Sequence, residues 1–196
     1  PGSSANRTRT PSLRSRVTAA VTSALATPPS LAAAETATRC SRPVPDAPAT
    51  VPPRVEADSA LPHTAAMTDT PGSSQWFDRG FVTYSNAAKV DQLMVNVDTL
   101  ERFGAVSEET AMEMAAGVLS ASPACHLAIS TTGIAGPDGG TPGKPVGMVC
   151  FGFAQRASQG VVTRAMTRIF EGDRRQIRNA SVAFALSTAI ELIGQR

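Results

Sequence analysis

Between two short apolar runs the chain packs Gly133, Gly136, Gly139, Gly140 and Gly143 together with Pro137, Pro142 and Pro145. The full stretch, Ser130 to Phe153, reads S-T-T-G-I-A-G-P-D-G-G-T-P-G-K-P-V-G-M-V-C-F-G-F. Leu127-Ala128-Ile129 before it and Val146 to Phe153 at its end carry the residues of buried strands. Glycine accepts positive φ and lets main-chain N–H groups approach a ligand, while proline limits the freedom so many glycines bring. The stretch therefore predicts a strand, a stiffened glycine loop and a second strand. Such a loop can present amides to an anion, or it can be no more than a tight connection. It is not a triphosphate-binding loop. That motif needs Ser or Thr after Gly-Lys, and here Gly143-Lys144 is followed by Pro145.

A seam near residue 66 divides the chain. Pro1, Pro11, Pro28, Pro29, Pro43, Pro45, Pro48, Pro52, Pro53 and Pro62 precede it, yet no Phe, Tyr or Trp does. Both lysines, Lys89 and Lys144, come later, and arginine carries the early positive charge. A segment without aromatics and broken by proline buries too little apolar surface to offset its ordering entropy. Residues 1–64 are therefore expected to be mostly disordered. Two pieces of that segment look structured: a helix over 14–26, on the spacing of Val17, Ala20, Val21, Ala24 and Leu25, and a short strand over 31–35. Cys40 to Pro62 has no periodicity and reads as a mobile loop. The first residue is Pro1 rather than Met, as in an incomplete or processed chain.

Composition excludes several classes. With 42% hydrophobic residues, 17% charged residues and a net charge of +2, nothing calls for nucleic acid or a membrane surface as partner. No apolar run approaches the roughly 20 residues that span a bilayer. Cys40, Cys125 and Cys150 form no C-x-x-C pair, and His63 and His126 lie in unrelated contexts. Neither a metal site nor a histidine triad is expected.

Beyond the seam, strand and helix patterns alternate. Gly72-Ser73-Ser74 is a turn, and Gly80 to Tyr84 reads as a strand. Ser85 or Asn86 caps a helix carrying Lys89, Val90 and Leu93. Ser107 caps another, with Glu108 and Glu109 in its first turn and an apolar face from Ala111 to Leu119. Val161 to Phe170 is a further strand, and Asp173 opens a last helix with a broad apolar face. This alternation predicts an α/β fold: one three-layer α/β/α domain over 65–196, with helices on both faces of the sheet.

Six segments also stand together in order and spacing: Gly72-Ser73-Ser74; Tyr84-Ser85-Asn86 with Lys89; Gly104-Ala105-Val106-Ser107; Thr132 to Gly140; Lys144-Pro145-Val146-Gly147; and Gly172-Asp173-Arg174. Together they closely resemble the CinA C-terminal domain, the nicotinamide-nucleotide amidohydrolase family, over about residues 64–196. The resemblance implies hydrolysis of the carboxamide of nicotinamide mononucleotide to nicotinate mononucleotide and ammonia. It implies a small-molecule substrate, no cofactor, a cytoplasmic enzyme and a homo-oligomer. It also implies a serine nucleophile in an A-E-S-C-T-G-G motif, a lysine base and a nearby tyrosine, the last two mapping onto Lys89 and Tyr84. Ser73, Ser74, Asn86, Thr132, Gly133, Gly136, Gly139, Gly140 and Arg174 are the implied substrate-binding residues. The chemistry is coherent, since amide hydrolysis needs an activated hydroxyl, a proton shuttle and donors for an oxyanion. From spacing alone, Tyr84 would be an ordinary sheet tyrosine and Lys89 a solvated helix lysine.

The chain departs from the family at one place. A-E-S-C-T-G-G is absent, and its nearest counterpart is Leu31-Ala32-Ala33-Ala34-Glu35 followed by Thr36. Thr36 is then the candidate nucleophile, without the glycines that would expose it on a tight turn. Met94 also replaces a usual glycine. Three readings follow: an active amidase in which some residue of the divergent segment restores the nucleophile, with activity impaired in the chain as written; a catalytically inactive remnant that binds a nucleotide or a protein partner; and a frame-shifted stretch or wrong gene model over 37–64.

Overall fold

The computed structural model describes residues 17–21, in their main chain, and residues 62–194. In chain order these form β1 (Val17–Val21), α1 (Pro62–Thr68), a 3-10 turn (Ser73–Gln75), β2 (Phe77–Val82), α2 (Asn86–Leu93), α3 (Val97–Phe103), α4 (Glu108–Ala121), β3 (Leu127–Gly133), β4 (Met148–Ala157), β5 (Gly160–Ile169) and α5 (Arg174–Gly194). The strands make one sheet in the order β2-β1-β3-β4-β5. β1 runs parallel to both its neighbours, whereas β3–β4 and β4–β5 are antiparallel.

The expected α/β architecture with helices on both faces is borne out. β3 is buried along its whole length, so its successive residues serve opposite layers. Leu127 and Ile129 join Phe151 and Phe153 against Ile177, Ala185, Ala189 and Leu192 of α5, with Met67 of α1. Ala128 and Ala154 face the other way, toward Leu93, Leu100, Met114, Ala115, Val118 and Leu119 of α2, α3 and α4. That second layer sits very close to the sheet. A Cβ on Gly152 would fall 2.1 Å from the carbonyl oxygen of Ala111, so α4 can rest there only on a glycine.

Local chemistry sets the element ends. Ser85 caps α2 by accepting from the Ala88 amide at 3.1 Å, and Ser107 caps α4 through the Thr110 amide at 3.2 Å. Asp173 and Gln176 cap α5 reciprocally, each side chain accepting from the other's amide at 2.8 Å.

The structure corrects several expectations. The helix expected over 14–26 is replaced, in its middle, by β1. A central parallel strand lacks the alternation that marks an exposed one, and five residues of V-T-A-A-V cannot be told from a helical segment by period. β1, from the segment set apart, lies in the middle of the sheet, and α1 runs across the 64/65 boundary from Pro62. β2 ends at Val82 rather than Tyr84, because Thr83 and Tyr84 make the turn that presents Ser85 as a cap. The sequence reading also passed over α3, a short helix capped by Asn96. The strand placed at 31–35, and nearly all of the mobile loop placed at Cys40 to Pro62, lie outside the described residues.

Candidate active site

The carboxyl ends of the three parallel strands stand level. Val82 of β2 is in register with Val21 of β1, and Val21 with Thr131 of β3. From there the chain after β2 enters the α2–α4 layer, while the helix between β1 and β2 belongs to the α5 layer. The carboxyl ends of neighbouring parallel strands are the usual place for a ligand in an open α/β sheet.

Lys89 lies in that region. It sits one turn into α2, and its side chain runs back to the end of β2, where Nζ donates to the carbonyl oxygens of Thr83 at 3.0 Å and Tyr84 at 3.3 Å. Lys89 has no solvent exposure, and burial lowers its pKa from 10.5 to about 8. Among the described residues no carboxylate pairs with Lys89. A neutral amine has two N–H groups and one lone pair. Two carbonyl acceptors match the two N–H groups and leave the lone pair for a proton. The solvated-lysine reading is therefore excluded by the burial.

Tyr84 contributes its carbonyl to this contact, while its side chain is 45% exposed. Asn86, the first residue of α2, is exposed beside it. Thr132, two residues into the chain beyond Ser130 on β3, is fully buried, and its hydroxyl donates to the carbonyl of Ala105 at 2.6 Å. That proton is committed to the turn between α3 and α4. Gly133 closes β3, and Ile134 and Gly147 pair across the base of the loop, the Gly147 amide reaching the Ile134 carbonyl at 2.7 Å. Gly136 and Gly139 have φ of 72° and 91°, in the region that favours glycine. Gly140 backs onto Val146, where a Cβ would meet the main-chain nitrogen at 3.0 Å. Arg174, at the start of α5, donates through Nη1 to the Gly136 carbonyl at 3.0 Å, so it holds the loop from the α5 layer.

The structure places Lys89, Tyr84 and Asn86 at the carboxyl end of β2, and Thr132 with the glycine loop held by Arg174 at the carboxyl end of β3, at the same end of the parallel strands. Ser73 and Ser74 are not among them. They form the 3-10 turn before β2, at its opposite end, separated from Thr83 by a six-residue strand that spans roughly 20 Å. A parallel strand begins where its preceding helix has returned, so a turn just before β2 cannot stand at its carboxyl end. Thr36 lies outside the described residues.

Sequence reasoning missed Lys144, whose Nζ donates to the carbonyl of Phe103 at 2.6 Å. The signal is weak: Lys144-Pro145-Val146-Gly147 stands out in sequence without a role, and Phe103, its partner, lies 41 residues earlier.

The family model of the CinA C-terminal domain matches residues 63–193. A nicotinamide-nucleotide amidohydrolase of Enterobacter agglomerans is 53% identical over 125 residues, covering 64% of this chain and 74% of its own. The protein of the same name from Escherichia coli K12 is 50% identical over 122 residues, covering 62% and 72%. Among solved structures, a competence/damage-inducible protein of Agrobacterium tumefaciens superposes with a TM-score of 0.67 at 34% identity, covering 92% of this chain and 86% of its own. One from Enterobacter asburiae gives 0.68 at 27% identity, covering 92% and 88%. Sheet order, glycine loop and buried lysine thus stand in a chain that belongs to the CinA C-terminal domain family.

Proposed function

We propose that this chain is an amidohydrolase that converts the carboxamide of nicotinamide mononucleotide to the carboxylate, releasing ammonia. The observation that carries the reading is Lys89: a buried amine with no acid partner among the described residues, held by two carbonyls at the strand ends. Its relatives named as nicotinamide-nucleotide amidohydrolases support the substrate.

In this reading neutral Lys89 takes the proton of a hydroxyl nucleophile as that oxygen attacks the carboxamide carbon. Main-chain amides of the loop after Gly133 face the developing oxyanion. Protonated Lys89 then gives its proton to the departing nitrogen, ammonia leaves, and water cleaves the acyl intermediate by the same base. Arg174, with donors left beyond its bond to Gly136, serves the phosphate. Thr132 acts through its bond to Ala105, keeping the α3–α4 turn against the end of β3.

The position of β1 redirects the search for the nucleophile. The strand that enters the sheet between β2 and β3 is Val17–Val21, and the residues that follow it in sequence are Thr22 and Ser23. These are nearer in sequence to the carboxyl end of β1 than Thr36.

The experiment is ammonia release from nicotinamide mononucleotide by the full chain and by Thr22→Ala, Ser23→Ala, Thr36→Ala and Lys89→Met. Loss of about 10² or more with Lys89→Met and with one hydroxyl variant supports the reading. Binding of the nucleotide without any ammonia release by the wild type would favour an inactive binding protein. Unchanged rates in Lys89→Met would overturn the proposed base.

A further inference from the structure

Three successive carbonyls, from the last residue of α3 into the turn after it, are held by three different elements. Phe103 receives Lys144 Nζ at 2.6 Å, from the glycine loop. Gly104 receives the hydroxyls of Ser107 at 3.0 Å and Thr110 at 2.8 Å, from the start of α4. Ala105 receives Thr132 Oγ1 at 2.6 Å, from the end of β3. The turn is thus a junction whose main chain cannot shift without breaking a bond to the strand, the helix or the loop.

Lys144 is the member of this junction that reaches across from the loop. It is half-buried, and its main chain closes a small bridge with Thr141: the Thr141 amide donates to the Lys144 carbonyl at 2.8 Å, and the Lys144 amide returns at 3.0 Å. At its other end the loop is held by Arg174 on the Gly136 carbonyl. The two cations therefore fasten the Gly136–Lys144 segment to opposite helical layers, α5 on one side and the end of α3 on the other. A loop with glycines at 136, 139, 140 and 143 has little local preference of its own, so such tertiary bonds set where its amides lie. The space at Gly104 also suits this contact, since a Cβ there would stand 3.1 Å from Lys144 Nζ.

We propose that Lys144 is a positioning residue: through its bond to the Phe103 carbonyl it holds the Gly136–Gly140 main chain at the height from which it meets the nicotinamide nucleotide. The choice of ligand rests on the function proposed above, but the latch itself does not. A merely structural lysine at the end of α3 would support that helix and leave the loop's amides where they are.

The test compares Lys144→Met, which keeps the aliphatic stem and loses the donor, with Lys144→Arg, which keeps a donor. Hydrogen exchange is followed in the loop amides 134–143 and in β4, alongside the KM and kcat of ammonia release. The expected result for Lys144→Met is exchange about five- to tenfold faster in the loop, unchanged exchange in β4, and KM raised by a similar factor with kcat within about twofold. Lys144→Arg should restore both. Unchanged loop exchange in Lys144→Met overturns the latch, as does a loss confined to kcat or a defect that Lys144→Arg leaves in place. A wild-type chain that neither hydrolyses nor binds nicotinamide mononucleotide refutes the proposed function instead, and loop exchange still decides the latch.

Discussion

On the α5 side of the sheet, Phe151 meets Phe184 with ring centroids 4.7 Å apart, Phe170 closes the group at 6.2 Å from Phe151, and Arg168 lies 4.9 Å over the Phe184 ring. At the carboxyl edge of β2, β1 and β3, the contacts that matter are polar ones ending on main-chain oxygens: Lys89 on Thr83 and Tyr84, Thr132 on Ala105, Lys144 on Phe103 and Arg174 on Gly136. The first region gains free energy by removing apolar surface from water, which is non-directional and tolerant of small shifts. The second orients groups, and in Lys89 it buries an amine whose charged form is disfavoured there. Stability belongs chiefly to the aromatic side and chemistry to the edge, so substitutions in the two regions should have opposite signatures.

The largest effect is expected from emptying the aromatic group. Phe151 is fully buried, and Phe151→Ala should cost about 3–5 kcal/mol of unfolding free energy in urea. Ammonia release per folded molecule should stay within a few-fold. A rate lost in proportion to stability would erase the distinction between the regions.

Lys89→Met should do the reverse. With the folded pKa of Lys89 lowered to about 8, the unfolded chain takes up this proton first as pH falls from about 10.5. The wild type therefore forfeits stability on the way down to pH 8, and Lys89→Met should be more stable at pH 7 by about 1–3 kcal/mol. Its advantage should shrink as pH approaches 10.5. A destabilised Lys89→Met would mean that the amine supports the fold rather than burdening it.

A buried base outside the site sharpens the contrast. Burial of His63 in α1 lowers its pKa from 6.5 to about 4, the Ser181 main chain opposing the shift and the Arg178 charge adding to it. Its neutral form stabilises the fold fully above pH 6.5, and that stability drains as pH falls toward 4. Between pH 7.5 and 5 the loss should be about 2 kcal/mol, and His63→Phe should flatten that part of the urea-midpoint profile. An identical slope in His63→Phe would assign the acid sensitivity elsewhere.

The smallest effect concerns Met94, which ends α2 with φ of 55° and is 67% exposed. Met94→Gly should stabilise by about 0.5–1 kcal/mol, because glycine takes this conformation without strain and little packing is lost. A thermal midpoint that falls would show that the side chain is held by contacts worth more than the strain.

The helix starts were legible because a cap needs only a polar residue ahead of an apolar period, as at Ser85, Ser107 and Asp173. β1 was not, since a central parallel strand loses the alternation that marks exposed ones and Val17–Val21 is too short to reveal a period. Within the site, Lys89 was found by resemblance, while its burial was invisible in sequence: its side chain turns back to the carbonyls of Thr83 and Tyr84 instead of out to water. Thr132 was read as lining the substrate, yet its hydroxyl is spent on Ala105, a partner 27 residues away. Lys144 went without a role for the same reason, because side-chain bonds to distant main-chain oxygens leave no mark on local pattern.

The central claim is that Lys89 acts as a base through its neutral form, whose share grows as pH passes about 8, and the chain's two lysines make it directly measurable. Lysine labelled with ¹³C at Cε should give one signal each for Lys89 and Lys144, assigned by Lys144→Arg, to be followed from pH 6 to 11 beside the rate of ammonia release. The account predicts a Lys89 midpoint of about 8, with the rate rising as that signal titrates. A Lys89 midpoint near its ordinary 10.5, or a rate indifferent to its titration, would contradict it.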